Sequence, residues 1–193
     1  MPEPIVELKP GSFIHTQAEA LPLDVCGEIV ARFERDKESQ YPGRVGQQAI
    51  EEQDIKRSTD LVVSGNPGWK DIDRALFSSL SRALHAFSQT FPYFSGAFKD
   101  MGYGVQRTRA NEFYHWHIDS GSHEFAQRQL VAIWYLNDVE GPGGGTEFRH
   151  QQLTVKPEAG KLLLFPPFWT HEHRGVTLTQ GVKYIATTWV VFA

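Results

Sequence analysis

The sequence predicts a mainly β fold with flanking helices, of the α+β class. Two stretches in the first half carry apolar residues every three or four positions, which is typical of helices with one buried face. The second half carries many short β-rich runs separated by Gly and Pro, which is typical of an antiparallel sandwich or barrel. We therefore expect two N-terminal helices that cover one sheet of such a sandwich.

The length of 193 residues favours a single domain over residues 1–193 that buries a core without disulfides. We expect residues 1–100 to form a helical support and lid region. Residues 101–193 are expected to form the β core, and the metal-ligand pattern described below lies there.

The first predicted helix begins near Leu23. Its apolar positions are Leu23, Cys26, Val30 and Phe33, with Ile29 beside them. Residues 36–54 follow as a long polar stretch with Pro and Gly, and we interpret this stretch as a surface loop or lid.

The second predicted helix covers residues 67–89. Asn66 and Pro67 are a favourable N-cap and first helical residue, and the helix is expected to end before Phe91-Pro92. Its core-facing stripe is Trp69, Ile72, Leu76, Leu80, Leu84 and Phe87.

The strands are predicted in the second half of the chain. We expect them at residues 105–109, 130–136, 146–148, 153–155, 161–165, 175–178 and 184–192. The glycine-rich segment 141–145 is expected to be a turn.

The charge and the apolar pattern exclude several classes of protein. Nineteen Lys and Arg against 23 Asp and Glu give a net charge of −4, which disfavours binding to nucleic acid. The longest apolar runs, 162–168 and 184–193, are too short for a transmembrane helix. The single cysteine, Cys26, rules out an internal disulfide, and residues 1–11 lack the pattern of a signal peptide. We expect a cytoplasmic protein.

Four of the eight histidines form two groups. In extended strands His115, His117 and Asp119 would share one face, and His171 and His173 would share another. Two imidazoles and one carboxylate are the ligands that bind ferrous iron with open positions for reactants. One cysteine cannot supply the thiolates of a structural zinc site. The pattern indicates an iron site but leaves open which histidines bind.

The chain from Tyr103 to Phe192 resembles the Fe(II)/2-oxoglutarate-dependent dioxygenases, and within them the prolyl 4-hydroxylase-like group. The resemblance is carried by five segments in family order: Gln106–Asp119, Tyr135–Asn137, Gly144–Phe148, Lys156–Pro166 and His173–Trp189. It implies a double-stranded β-helix (jelly-roll) core with the N-terminal helices packed on one sheet.

The resemblance also implies a set of site residues. The metal ligands would be His117, Asp119 and His173, since Lys183 stands ten positions after His173, where the group carries the basic residue that binds 2-oxoglutarate. Counting from His171 would place Gly181 there. Tyr114 is a second candidate 2-oxoglutarate contact, although period-2 geometry places it opposite His117 unless the strand has a bulge.

The implied reactants are Fe(II), 2-oxoglutarate and O2, with ascorbate as a candidate reductant. The implied reaction is hydroxylation of an unactivated C–H, with a prolyl residue of a peptide or protein as the leading substrate. A small molecule is the alternative. The sequence predicts neither the substrate nor the oligomeric state.

Several alternatives remain at this point. One is a cupin-like metalloenzyme that does not use 2-oxoglutarate, another is a non-catalytic binding module on the same fold, and a third is a nucleic-acid demethylase. We expect Arg128 to cap a sheet edge, whereas Trp189 suits the pocket and the core equally. Five aromatic residues fit either a substrate rim or the core: Tyr103, Trp116, Trp134, Phe168 and Trp169.

Overall fold

The computed structural model describes residues 4–46 and 48–193. Its helices are α1, Leu23–Arg35, and α2, Lys70–Thr90, the latter preceded by a 3-10 turn at Pro67–Trp69. The first strands are β1 (Val6–Glu7), β2 (His15–Gln17), β3 (Tyr41–Pro42), β4 (Thr59–Val62), β5 (Phe98–Asp100), β6 (Gly104–Arg109) and β7 (Tyr114–His117). The remaining strands are β8 (Arg128–Tyr135), β9 (Thr146–Phe148), β10 (Leu153–Val155), β11 (Leu162–Phe165), β12 (His173–Gly175) and β13 (Val182–Phe192).

The strands form two antiparallel sheets. The major sheet has the order β1-β2-β11-β8-β13-β6-β4-β3, with β5 also paired to β13, and the minor sheet has the order β10-β9-β12-β7. Apolar side chains from both sheets meet in one buried cluster: Ile14, Val131, Ile133, Tyr135, Phe148, Val155, Leu163 and Phe165. The predicted sandwich is therefore confirmed.

Both helices pack on the other face of the major sheet. Cys26, Ile29 and Phe33 of α1 join Leu76 and Leu80 of α2 in the larger core cluster. The predicted stripe of α2 and its Asn66 cap are confirmed, since the Asn66 side chain accepts a hydrogen bond from the Gly68 amide.

The predicted apolar face of α1 is wrong at its first position. The Leu23 side chain is 64% exposed, whereas Ile29 is fully buried. Side chains in a helix lean toward the N-terminus, so the first residue of α1 covers the space before the helix and not the sheet.

The N-terminal half contributes strands that the sequence analysis did not predict. β2 pairs with β11 and β4 pairs with β6, so both lie inside the major sheet. The strand predicted at 175–178 is instead β12 at residues 173–175. These elements have two to four residues, which is too short for an alternating pattern to be visible.

Within the part of the chain that is described, neither helix has the length and apolar character needed to cross a bilayer.

Candidate metal centre and co-substrate pocket

The candidate metal ligands meet at the edge of the minor sheet. His173 on β12 lies directly opposite His117 on β7. Asp119 follows β7 by two residues, and its amide donates to the Pro167 carbonyl at 3.0 Å. One ligand atom from each of the three residues lies within 4.8 Å of the others.

The backbone fixes the tautomer of both imidazoles. Nδ1 of His117 donates to the His115 carbonyl at 2.7 Å, and Nδ1 of His173 donates to the His171 carbonyl at 3.0 Å. Burial, together with the neighbouring His173, lowers the pKa of His117 to about 3, so this ring is neutral at pH 7. Nε2 of His117 therefore presents a lone pair, and so does Nε2 of His173 in the neutral tautomer that donates from Nδ1.

The carboxylate of Asp119 completes a set of donors that fits ferrous iron. Its Oδ2 is buried without a hydrogen-bond partner and lies 3.3 Å from Nε2 of His173. In the neutral tautomer both atoms are acceptors, so a cation between them would satisfy both. Two imidazole nitrogens and one carboxylate oxygen are the ligands of non-haem Fe(II) oxygenases.

Tyr114 reaches the site because β7 has a bulge. Between the pairs His173–His117 and Gly175–Tyr114, β7 advances by three residues while β12 advances by two. The Tyr114 and His117 rings consequently stack at 3.6 Å between centroids and 14° between planes. The shared face predicted for His115 and His117 is wrong, because His115 is exposed while His117 faces the cavity.

The predicted pairing of His171 with His173 on one strand face is also wrong. His171 belongs to a 3-10 turn, Trp169–His171, and not to a strand. Its Nε2 contacts the Ser12 carbonyl at 2.9 Å and its Nδ1 contacts the Thr170 hydroxyl at 2.8 Å. Both nitrogens of His171 are thus engaged away from the metal ligands.

Lys183 lies in the same cavity as the three candidate ligands, between the two sheets. The side chain is buried, and its Nζ donates to the Gly144 carbonyl at 3.0 Å. Burial lowers the pKa of Lys183 to about 8. A buried ammonium beside a single neutral acceptor favours an anionic ligand, because the low dielectric strengthens such a pair. Thr108 on β6 is the residue paired directly with Lys183 on β13.

Two further residues hold Asp119. The indole Nε1 of Trp189 donates to Asp119 Oδ1 at 3.0 Å, which leaves Oδ2 as the free oxygen. Arg128 donates from Nη1 to the Asp119 carbonyl at 2.7 Å, and its guanidinium lies between the Phe125 and Trp189 rings at 3.9 and 3.8 Å. The prediction that Arg128 caps a sheet edge is wrong, since Arg128 is 8% exposed and lies behind the site.

The aromatic residues considered for a substrate rim occupy different places. Tyr103 and Trp134 belong to the large core cluster. Trp116 lies between the guanidinium groups of Arg149 and Arg174. Trp169 is 75% exposed. None of the five lines the metal cavity.

The walls of the cavity include Lys56 and Ser58, which come directly after the predicted lid segment. From residues 36–54, Tyr41, Arg44 and Ala49 line an adjoining groove. Gln47 of this segment lies outside the described residues. Lys56 was not predicted as a cavity residue, because an isolated lysine in a polar stretch carries no signal of burial.

Comparisons with known proteins agree with this geometry. The sequence profile of the 2OG-Fe(II) oxygenase superfamily matches residues 103–191. A sequence comparison with curated proteins found no match.

Three solved structures share the fold over nearly the whole chain. A prolyl hydroxylase from Trichoplax adhaerens, in complex with a peptide fragment of the hypoxia inducible factor oxygen degradation domain, is 15% identical with a TM-score of 0.79, covering 94% of this chain and 84% of its own. A Pseudomonas putida prolyl-4-hydroxylase is 20% identical with a TM-score of 0.72, covering 94% and 93%. The collagen prolyl hydroxylase of Paramecium Bursaria Chlorella virus-1, in a 2OG complex, is 16% identical with a TM-score of 0.71, covering 97% and 100%.

The predicted double-stranded β-helix is the fold that this chain shares with these structures. The family match and the convergent His-Asp-His donors support Fe(II) as the metal and 2-oxoglutarate as the co-substrate, and they imply O2 as the oxidant. The segment that matches the 2OG-Fe(II) oxygenase superfamily, residues 103–191, contains the three candidate metal ligands and Lys183, and this supports an Fe(II)- and 2-oxoglutarate-dependent oxygenase.

Proposed function

We propose that this oxygenase hydroxylates an unactivated C–H bond of a prolyl residue in a peptide or protein. In this proposal His117, Asp119 and His173 hold the iron, and Lys183 and Tyr114 bind 2-oxoglutarate. The observation that carries the proposal is the cavity itself, in which an unsatisfied carboxylate oxygen and two imidazole donors lie together with a buried lysine.

Neighbouring groups orient the three proposed iron ligands before any reactant binds. The His115 and His171 carbonyls orient the two imidazoles, and Trp189 orients the carboxylate. Such outer partners keep the donors in place, so no reorganisation is needed when the metal binds. The bound metal, with 2-oxoglutarate and O2, supplies the oxidising chemistry that yields succinate, CO2 and a hydroxylated product.

Lys183 would bind the distal carboxylate of 2-oxoglutarate. Its ammonium is a compact charge with three donors, and one of these is already held by the Gly144 carbonyl. Gly175 leaves space beside it, because a Cβ there would lie 3.6 Å from Lys183 Nζ. The Tyr114 hydroxyl would donate a second hydrogen bond to the co-substrate from β7 on the facing sheet.

Part of the remaining wall is apolar. Val131, Ile133 and Ile185 give the cavity an apolar surface beside the polar groups. Exclusion of water strengthens the pairing of Lys183 with a carboxylate and protects reactive species from side reactions.

The choice of a peptidyl proline rests on fold likeness. Three similar structures are prolyl hydroxylases, and one of them is in complex with a peptide. The groove beside the cavity, described below, gives a chain longer than one amino acid a place to lie.

The test compares a pool of short peptides with one central proline against free L-proline, each with Fe(II), 2-oxoglutarate and O2. We expect succinate release and a mass gain of one oxygen in the peptide pool. Asp119→Asn is expected to abolish both signals. Turnover of free proline without turnover of peptides would contradict the proposed substrate, and absence of succinate with both would contradict the proposed reaction on proline.

A further inference from the structure

A buried ion pair borders the metal cavity without taking part in the site described above. Lys56 Nζ lies 2.6 Å from Asp60 Oδ2, and the two side chains are only 5% and 9% exposed. The other oxygen of Asp60 accepts a hydrogen bond from the Ser58 hydroxyl at 2.7 Å.

This ion pair spans the gap between the two sheets. The backbone next to Lys56 is bound to β7, through Arg57 N to the Phe113 carbonyl and His115 N to the Ile55 carbonyl. Asp60 belongs to β4 of the major sheet. Lys56 Nζ lies 5.3 Å from the centre of the Tyr114 ring, which itself stacks on His117. The Tyr114 ring therefore lies between Lys56 and the candidate metal ligand His117.

Lys56 also lies at the junction of the cavity and an outer groove. Four residues line both spaces: Lys56, Gln106, Thr187 and Trp189. The groove continues along β4 and β6, where Val62 and Met101 leave half of their side chains exposed. A substrate that extends from the groove toward the iron would pass the Lys56 ammonium.

The energetics favour a role in recognition for this pair. Two buried charges lose much of their hydration, and a buried ion pair gains little stability over apolar residues of the same size. The ammonium has three donors, and among the described residues Asp60 is its one hydrogen-bond acceptor. Two N–H groups of Lys56 are thus available.

The charge balance indicates what kind of group these donors would bind. Asp60 already neutralises Lys56, so a second full negative charge would lie close to the Asp60 carboxylate and be repelled. A neutral carbonyl oxygen accepts the same hydrogen bond without that repulsion. Main-chain carbonyls are the acceptors that every extended peptide offers.

We propose that Lys56 is a substrate-recognition residue, which donates hydrogen bonds to a main-chain carbonyl of a peptide lying in the outer groove, and that Asp60 holds it in position. This inference rests on the proposed function, and it adds the element that distinguishes a peptide from a free amino acid.

The test measures KM and kcat with the proline-centred peptide pool. Lys56→Met keeps the length of the side chain and removes the donors, and we expect KM for the pool to rise roughly ten- to a hundredfold, as for the loss of a charged hydrogen bond. The change in kcat is expected to be much smaller. Lys56→Arg retains donors and is expected to recover part of the affinity.

A purely structural role is tested by removing both charges. In the double variant Lys56→Met, Asp60→Leu no unpaired buried charge remains, so we expect the melting temperature to stay near that of the wild type while KM stays raised. Lys161→Met is the matched control, because it breaks the peripheral Lys161–Glu158 pair at 2.8 Å and is expected to leave KM unchanged.

The outcomes separate this inference from the function on which it rests. A double variant that regains the wild-type KM would show that the ion pair only holds the two sheets together and does not contact the substrate. The inference would then be wrong. A wild-type KM in Lys56→Met would overturn the inference while the proposed function stands. A wild-type protein that hydroxylates no peptide would overturn both.

Discussion

The two carboxylate oxygens of Asp119 lie in different environments. Oδ1 accepts a hydrogen bond from the Trp189 indole, and Oδ2 is buried without one. The indole thus determines which oxygen is free for a metal. The Arg128 guanidinium, stacked on the same indole, restrains Trp189 and the Asp119 backbone together.

Trp189→Phe should weaken Fe(II) binding by roughly ten- to a hundredfold, as is usual when a partner of a metal ligand is lost. The ring is retained, so the packing on Arg128 persists while the hydrogen bond to Asp119 is absent. Anaerobic titration of the metal-free protein with Fe(II) measures the change. Trp116→Phe is the control, since Trp116 packs between two arginines outside the cavity. Equal affinities for the wild type and Trp189→Phe would contradict this role.

Lys183→Ala should raise the dissociation constant of 2-oxoglutarate by at least about thirtyfold, because a buried carboxylate would lose its countercharge. Fe(II) binding should persist, since Lys183 is not among the three convergent donors. Calorimetric titration of each ligand separates the two effects. If Lys183→Ala binds 2-oxoglutarate as tightly as the wild type does, another cation must bind its carboxylate, and the role proposed for Lys183 is wrong.

At the residue scale, the sequence predicts what a family motif places at a fixed position along the chain. The resemblance to the dioxygenases implies His117, Asp119, His173 and Lys183 as site residues, and the structure brings these four residues into one cavity. Arg128 and Lys56 are different, because their burial depends on partners contributed by distant segments, namely the Trp189 ring for Arg128 and the Tyr114 ring for Lys56. A single arginine or lysine in the sequence looks the same whether it is solvated or buried.

At the scale of elements, one serine joins α2 to the major sheet. The buried Ser79 hydroxyl donates to the Ala20 carbonyl at 2.7 Å and accepts from the Trp134 indole at 2.9 Å. It therefore satisfies two buried polar groups on two other segments.

Ser79→Ala should lower the free energy of unfolding by about 2 kcal/mol, because a buried donor and a buried acceptor each lose a partner. Chemical denaturation measures the loss. Ser78→Ala is the matched control, since the Ser78 hydroxyl only contacts the Arg74 carbonyl on the exposed side of the same helix. A similar small effect for both variants would mean that water replaces Ser79 without cost.

The helices were predictable because their apolar stripes repeat over several turns. The bulge in β7 was not predictable from the sequence. A bulge is defined by the register against a partner strand, and here that strand lies some 60 residues away along the chain. Strict alternation therefore placed Tyr114 and His115 on the wrong faces, and only the alternative of a bulge, left open in the sequence analysis, describes the observed stacking on His117.

At the scale of the whole molecule, burial of neutral histidines makes the stability of the metal-free protein depend on pH. His15 is 3% exposed and packs edge-on against the Phe87 and Phe91 rings. Burial lowers the pKa of His15 below its usual 6.5. The unfolded chain therefore binds a proton at a higher pH than the folded chain does, and stability must fall as the pH drops through 6.5.

We expect the free energy of unfolding to decrease from about pH 7.5 to about pH 5.5, and to decrease less in His15→Leu, which cannot be protonated. Urea denaturation of the metal-free protein at both pH values checks this. An unchanged pH dependence in His15→Leu would show that other groups account for the effect.

We propose that His117, Asp119 and His173 form one iron site beside a 2-oxoglutarate pocket. The visible charge-transfer band that appears when Fe(II) and 2-oxoglutarate are added anaerobically to the metal-free protein tests this assignment. We expect the band in the wild type and in His171→Ala, and we expect its loss in His173→Ala. A band that survives in His173→Ala but disappears in His171→Ala would move the ligand by two residues and overturn the assignment.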